Sequence, residues 1–175
     1  MDLELDTRKR IYELVRSSPG IHLRELERRS SIVIGSLQYH LHYLEKKGFI
    51  YSFTDEEYVR YFARDRKLEG EDRKILSLLR RKGCRHILFN LLHDPGMNNK
   101  DLAEAISLSP STTSWHLNKL LKDGIIEKTK AGRSSSFSIK DPELVAELII
   151  YYKESFLDSL LDNFTEIWDI RRQDE

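Results

Sequence analysis

The sequence has little cysteine, no long apolar run and no net charge. Its 175 residues include one cysteine, Cys84, which excludes an intramolecular disulfide and a zinc site built from several cysteines. No segment reaches the roughly 18 consecutive apolar residues that span a membrane. Residues 1–10 have neither the basic start nor the apolar core of an export signal. We therefore expect a cytoplasmic protein with no membrane partner.

Motifs for catalysis and for metal binding are also missing. There is no glycine-rich phosphate loop, nucleophile elbow or paired-histidine zinc motif. On a helix, His40 and His42 would point apart, and His86 and His93 would lie two turns from each other. We expect no enzyme activity, no metal and no cofactor. His40 and its counterpart His116 lie beside the leucines of an apolar helix face, so they are interpreted as packing residues.

The net charge is zero, but the charges are unevenly distributed. Residues 70–140 carry 13 Lys and Arg against 7 Asp and Glu, whereas residues 141–175 carry 3 against 10. Neutralisation of phosphates supplies much of the affinity of proteins for nucleic acid. The middle of the chain is therefore the favoured nucleic-acid-binding part.

The chain contains an internal repeat with a constant offset of 76 residues. Identical residues recur at this offset without a gap, among them Pro19 and Pro95, His40 and His116, Leu44 and Leu120, and Gly48 and Gly124. A repeat of this length indicates two copies of one supersecondary unit.

In the first copy the apolar spacing predicts three helices and a hairpin. Residues three and four apart predict helices over 7–16 and about 34–47, with a short helix over 24–29 between them. Alternation on both sides of the polar tip Asp55-Glu56-Glu57 predicts a β-hairpin. This order of elements is typical of a winged helix.

The second copy predicts the same elements after an additional helix. Residues 71–93 are expected to form one helix that bends at Gly83, and two separate helices are the alternative. Asn98 is predicted to cap a helix over 99–106, and Ser109 the next helix, which begins at Pro110. A second hairpin is expected over 125–139, with its turn at Gly132.

A long helix is predicted to follow both copies. It begins at Asp141-Pro142-Glu143, and its apolar residues recur every three to four positions over nearly thirty residues. Pairing with a second chain would cover this stripe, and packing against its own modules is the alternative. The residues expected to form the dimer interface are Leu148, Tyr152, Phe156, Leu160, Phe164 and Trp168.

The predicted fold class is therefore mainly α (α+β). It comprises a first winged-helix module over 1–69, a second over 70–140 and a C-terminal dimerisation helix over 141–175.

Residues 109–120, SPSTTSWHLNKL, followed by GIIEK over 124–128, resemble the ArsR/MarR-like winged helix-turn-helix regulators. Those regulators have a serine-rich start, a His-Leu pair and a glycine with two apolar residues entering the wing. The complete layout is similar to tandem winged-helix transcription regulators of archaeal type. This resemblance implies a dimeric DNA-binding repressor or activator.

The outward positions of the second copy suit DNA. Its hydroxyl and amide groups can hydrogen-bond to phosphates and base edges, and its lysines can pair with the DNA backbone. The hairpin adds a basic finger of the size that lies along a minor groove. The expected DNA-binding residues here are Ser111, Thr112, Ser114, Trp115, Asn118, Lys119, Lys122, Lys128, Lys130 and Arg133. A polar, solvated surface is the alternative.

The first copy differs from the second at its wing. Its helix offers Ser36, Gln38, Tyr39 and His42 for contact with DNA, but phosphate would repel the three carboxylates of the wing tip, residues 55–57. This module is either a weaker second reader that uses its helix alone, or a partner, dimer or regulatory module.

We therefore expect a sequence-specific transcription regulator that binds double-stranded DNA as a homodimer, with the second module as the main reader. The alternative is a protein-interaction scaffold that docks onto transcription or replication machinery. A small-molecule or redox-sensing switch could coexist with the regulator function. Cys84 and a possible pocket between the modules are the features that support it, although the sequence identifies no effector.

Overall fold

The helices and strands of the computed structural model follow the same offset as the sequence. The structure describes residues 3–156. Two compact units are formed, one from Met1–Lys67 with the segment that begins at Tyr151, the other from Leu68–Ile150. Within residues 3–156, no helix is long and apolar enough to cross a membrane.

Over residues 3–67, the first unit has three helices and a three-stranded antiparallel sheet. In chain order it contains α1 (Leu3–Ser17), β1 (Ile21–His22), α2 (Leu23–Ser30), α3 (Ile34–Lys46), β2 (Ile50–Thr54) and β3 (Val59–Ala63). The strand order is β1-β3-β2. Its core is made by Ile11, Val15, Ile21, Leu26, Leu37, Leu41, Leu44 and Ile50.

The second unit repeats this order after an additional helix. It contains α4 (Gly70–Leu79), α5 (Lys82–His93), α6 (Asn99–Ala105), α7 (Pro110–Lys122), β4 (Ile126–Ala131) and β5 (Ser134–Ile139), and most of α8 (Pro142–Tyr151). The antiparallel pair of β4 and β5 forms the wing. The predicted winged-helix order is thus confirmed in both copies.

The repeat extends to the backbone geometry. Helices α3 and α7 have the same bounds after a shift of 76 residues. Gly48 and Gly124, just past their ends, have φ angles of 75° and 74°, a left-handed conformation that glycine adopts without steric cost. The pairing of His22 with Arg60 in the first sheet recurs as an isolated bridge between Asn98 and Ser136.

The predicted helix caps of the second copy are confirmed. Asn98 Oδ1 accepts a hydrogen bond of 2.9 Å from the N–H of Asp101, and Ser109 Oγ accepts one of 3.1 Å from Thr112. Pro110 occupies the first position of α7, where a missing N–H leaves no helical hydrogen bond unmade.

The single helix bent at Gly83 is a wrong prediction. The chain leaves the helical conformation at Arg81, which has φ −90° and ψ 116° and separates α4 from α5. Arg85 Nη1 donates to the carbonyl of Leu79 at 2.6 Å and so joins the two helix ends. Gly83 lies inside α5 for a packing reason, because the ring of His116 occupies the space where a side chain would stand.

The predicted C-terminal helix is interrupted at Tyr152, and residues 153–156 are helical again. Helix α8 ends at Tyr151, and the carbonyl of Tyr152 accepts hydrogen bonds from the N–H and the hydroxyl of Ser155. Leu148 is buried in the second unit, whereas Tyr152 and Phe156 are buried in the first. Of the described residues in the expected 141–175 part, those up to Ile150 belong to the second unit and 151–156 belong to the first. Leu160, Phe164 and Trp168 lie outside the described residues.

Candidate nucleic-acid interface

Helix α7 presents a polar and basic face to solvent. Its buried side is formed by Thr113, Leu117 and Leu120. The predicted site residues project from the remaining surface: Ser111, Thr112, Trp115, Asn118 and Lys122 are exposed, and Ser114 and Lys119 are half-buried. The predicted helix residues of this module therefore all retain solvent-accessible surface.

The first turn of α7 carries a cluster of hydroxyl groups. Ser109 Oγ lies 2.9 Å from Ser111 Oγ and 2.8 Å from Thr112 Oγ1. The first N–H groups of a helix and the positive end of its dipole favour anions such as phosphate. These hydroxyls therefore extend a surface that suits a phosphodiester.

A groove of about 620 Å³ lies beside α7, between the start of α6 and the wing. It brings three predicted site residues together: Ser114 and Asn118 from α7, and Lys128 from β4. The other polar residues that line it are Asn98, Asn99, Lys100, Ser134 and Ser135. No carboxylate is among its lining residues, all of which the structure describes, so a phosphate entering it would meet lysine, amide and hydroxyl groups.

The sequence analysis missed Asn98, Asn99, Lys100, Ser134 and Ser135. The repeat is the signal that relates Asn98 to the wing, because the bridge between Asn98 and Ser136 corresponds to the pairing of His22 with Arg60 in the first sheet. Asn99 Nδ2 donates to Ser114 Oγ, which ties the start of α6 to α7. The groove is therefore built by both helices of the helix-turn-helix and not by α7 alone.

The wing of the second unit is basic. Lys128, Lys130 and Arg133 are exposed on β4 and its turn, with Lys130 opposite Ser135 and Lys128 opposite Phe137 of β5. Lys130 and Arg133 do not line the groove, so they extend the basic surface beyond it. The turn is formed around Gly132, whose φ is 63°.

In the first unit, the predicted site residues lie on α3. Gln38, Tyr39 and His42 are exposed, and Ser36 is half-buried. Val33, at the start of α3, makes no side-chain cap and is 70% exposed, where the second unit has the serine cap Ser109. The surface that is hydroxyl-rich in the second unit is therefore more apolar in the first.

The wing tip of the first unit does not present three free carboxylates. Asp55 Oδ1 accepts hydrogen bonds of 2.8 Å from the N–H groups of Glu57 and Tyr58, and its Oδ2 lies 2.5 Å from Nε of the buried Arg60. Burial opposes ionisation of Asp55, but the bonds from Arg60 and the two backbone groups outweigh it and lower its pKa to about 2. Only Glu56 and Glu57 are exposed acids of this tip.

The two predicted packing histidines are confirmed. His40 is buried and His116 is half-buried, each beside the leucines of its helix. Cys84 is a buried thiol that forms no disulfide, and its Sγ lies 3.6 Å from His116 Nδ1. Across residues 3–156, no group of three or more His, Cys, Asp or Glu side chains is placed to hold a metal ion.

Both copies match family models of helix-turn-helix domains. Residues 85–127 match a model described as winged helix-turn-helix DNA-binding, and residues 5–76 match the HVO_0163 N-terminal HTH domain. This chain is a tandem winged helix-turn-helix protein. The expected resemblance to winged helix-turn-helix proteins is therefore confirmed, and the two family models cover the two modules separately.

Three known proteins resemble this winged helix-turn-helix chain. The uncharacterised HTH-type transcriptional regulator MJ1398 of Methanocaldococcus jannaschii is 29% identical over 136 residues, which are 78% of this chain and 34% of MJ1398. The cadmium resistance transcriptional regulatory protein CadC of Listeria innocua is 34% identical over 73 residues, which are 41% of this chain and 61% of CadC. The structure of HlyU from Vibrio cholerae is 23% identical with a TM-score of 0.42, covering 47% of this chain and 86% of HlyU. The chain thus spans about a third of MJ1398 and about three fifths of CadC.

Proposed function

We propose that the protein is a sequence-specific DNA-binding transcription regulator whose second module is the main reader. The carboxylate-free groove beside α7 carries this proposal, because it places Lys100 and Lys128 where a DNA backbone would pass between the helix and the wing. The exposed face of α7 then meets base edges in the major groove, which admits an α-helix. MJ1398 and CadC are described as transcriptional regulators, which supports the same function.

The first module contributes less to DNA binding in this proposal. Its wing carries Ser52 and Glu57 at the positions of Lys128 and Arg133, so it offers phosphate less positive charge. Gln38 and His42 remain exposed on α3 and provide a second, weaker contact with the duplex.

We further propose that the regulator is a homodimer formed through residues near its C-terminus. The apolar spacing of Leu160, Phe164 and Trp168 in the sequence supports this assembly. A two-fold dimer reads a palindrome whose half-sites follow the helical repeat of DNA.

Selection of genomic fragments by the purified full chain tests this function. The selection is made at physiological salt, and light scattering on the same sample gives the mass of the complex. The proposal predicts an enriched palindrome bound by two chains. Weak, salt-dependent binding without an enriched sequence would contradict sequence-specific regulation.

A protein-interaction scaffold is the second candidate function, and the surface of the first unit favours it. Five exposed apolar residues there, Val33, Ile34, Tyr39, Tyr58 and Val59, stand at the positions of Ser109, Pro110, Trp115, Ser134 and Ser135 in the second unit. Aromatic side chains commonly anchor protein interfaces. Absence of any duplex binding, together with a protein complex that is insensitive to salt, would favour the scaffold.

A further inference from the structure

Trp115 is a large apolar side chain on the face of α7 that is opposite the core. Buried Thr113 and Leu117 each lie two residues away, so the helical period places Trp115 on the opposite side. Its ring is 49% exposed, between the polar Asn118 and the basic Lys119 and Lys122 of the same face. A protein-docking surface would have a larger apolar area than one ring. The exposure of Trp115 within a polar and basic surface therefore has a different cause.

The ring of Trp115 is held in place from two sides. It meets the edge of the His116 ring at a centroid distance of 4.9 Å and an interplanar angle of 80°, and Lys119 Nζ lies 5.4 Å from its centroid. His116 is itself packed against Gly83 and the Cys84 thiol. Burial, with Arg81 and Lys119, lowers the pKa of His116, so its ring is uncharged at neutral pH. The indole is therefore presented in a defined orientation.

The first unit carries the same arrangement. Tyr39 occupies the position of Trp115, is 57% exposed and meets the edge of the His40 ring at 5.2 Å. The neighbouring outward positions differ between the copies, with Gln38 in place of Ser114 and His42 in place of Asn118. An exposed aromatic ring supported by a histidine is therefore common to both copies, although the polar residues around it are not.

We propose that Trp115 selects thymine by contact of its ring with the C5-methyl group, an inference that rests on the DNA-binding function proposed above. When α7 lies in the major groove, the helix face opposite the core, which carries Trp115, meets the base edges. Thymine presents the one apolar group among the base edges of that groove, and the other groups are hydrogen-bond donors and acceptors. An indole has one donor, Nε1–H, and no acceptor, so most of its surface is apolar and is stabilised by covering a methyl group.

Replacement of thymine by deoxyuridine tests this inference, because it removes the methyl group and keeps base pairing. In the duplex obtained by selection, each thymine is replaced in turn, and the dissociation constant of the full chain is measured. We expect a roughly fourfold loss of affinity at one or two positions, the change that corresponds to one buried methyl group. Trp115→Ala should abolish the difference between the thymine and uracil duplexes, and Trp115→Phe should keep part of it.

Ile150→Ala is the matched control, because Ile150 is an apolar residue of α8 in the second unit that is 68% exposed. It should bind both duplexes as the unaltered chain does. Equal affinity of the unaltered chain for all duplexes, a selected site without thymine, or an equal loss by Trp115→Ala on both duplexes would overturn the inference while DNA binding stands. Failure of the proposed function differs, because the selection would then enrich no sequence, or the chain would bind no duplex at all.

Discussion

Asp55 and Arg60 show how two charged side chains stabilise the wing of the first unit. Arg60 is 1% exposed, and its guanidinium also donates to the carbonyl of Gly20 at 3.0 Å, which ties the hairpin to the turn before β1. A buried guanidinium is costly unless it is paired and hydrogen-bonded. Asp55 therefore stabilises this turn and contributes little to the charge that DNA would meet.

The pKa of Asp55 predicts how stability depends on pH. The folded carboxyl titrates near pH 2 and the unfolded one near pH 4, so the stabilisation is complete above about pH 4 and is lost as the pH falls towards 2. Asp55→Asn should cost the first unit about 2 kcal/mol at neutral pH. NMR titration of the carboxyl carbon and urea unfolding at pH 6 and pH 3 measure both quantities.

Glu56→Gln is the control, because Glu56 is an exposed acid of the same turn. It should leave the stability at pH 6 nearly unchanged. A carboxyl of Asp55 that titrates near pH 4, or equal losses of stability in the two variants, would contradict this account.

At the residue scale, sequence patterns identified positions but not side-chain partners. Alternation of apolar and polar residues predicted the hairpin around Asp55. The inward orientation of its carboxylate depends on the burial of Arg60 by β1. The sequence does not predict β1, because a strand of two residues is too short to show an alternating pattern. The helical period placed the α7 residues correctly, because one leucine stripe determines the outward face. Lys100 and Ser135 were missed because the groove forms only when the wing and α6 approach α7.

At the element scale, the contact of α5 with α7 determines where a glycine is required. Both Gly83 and Gly35 occupy the second position of a helix. A Cβ at Gly83 would overlap the His116 ring, whereas a Cβ at Gly35 would have no atom within 4 Å. Substitution of the two glycines by alanine therefore distinguishes the effect of packing from the effect of helix propensity.

We predict opposite effects of alanine at these two glycines. Gly83→Ala should destabilise the second unit by about 1 to 3 kcal/mol, because the His116 ring must move. Gly35→Ala should stabilise the first unit by about 0.4 to 1 kcal/mol through reduced freedom of the unfolded chain. Thermal unfolding followed by circular dichroism measures both. A Gly83→Ala protein as stable as the unaltered chain would refute the proposed contact.

At the scale of the whole molecule, the six predicted dimerisation residues fall into two groups. Leu148, Tyr152 and Phe156 are buried within the single chain, so their substitution should lower stability. Phe156→Ser is expected to destabilise the first unit by about 3 to 5 kcal/mol, the cost of losing a buried aromatic ring.

Substitution of the other group should instead weaken the dimer. Phe164→Ser with Trp168→Ser is expected to raise the dimer dissociation constant at least about tenfold, as the loss of aromatic anchors does at interfaces. Sedimentation equilibrium measures this constant, with Ile150→Ser as the control for an exposed apolar residue. A monomeric unaltered chain, or a dimer unaffected by the double substitution, would refute dimerisation through these residues.

The salt dependence of DNA binding tests most directly whether the second module is the reader. The dissociation constant for the selected duplex is measured across a salt series for the unaltered chain and for Lys128, Lys130 and Arg133 replaced together by Ala. Each lost phosphate contact removes about 0.9 from the slope of log affinity against log salt, so we predict a slope lower by about 2 to 3 and weaker binding to all duplexes. Glu56→Gln with Glu57→Gln, the control in the other wing, should not lower it. An unchanged slope after loss of the three basic residues would contradict the account.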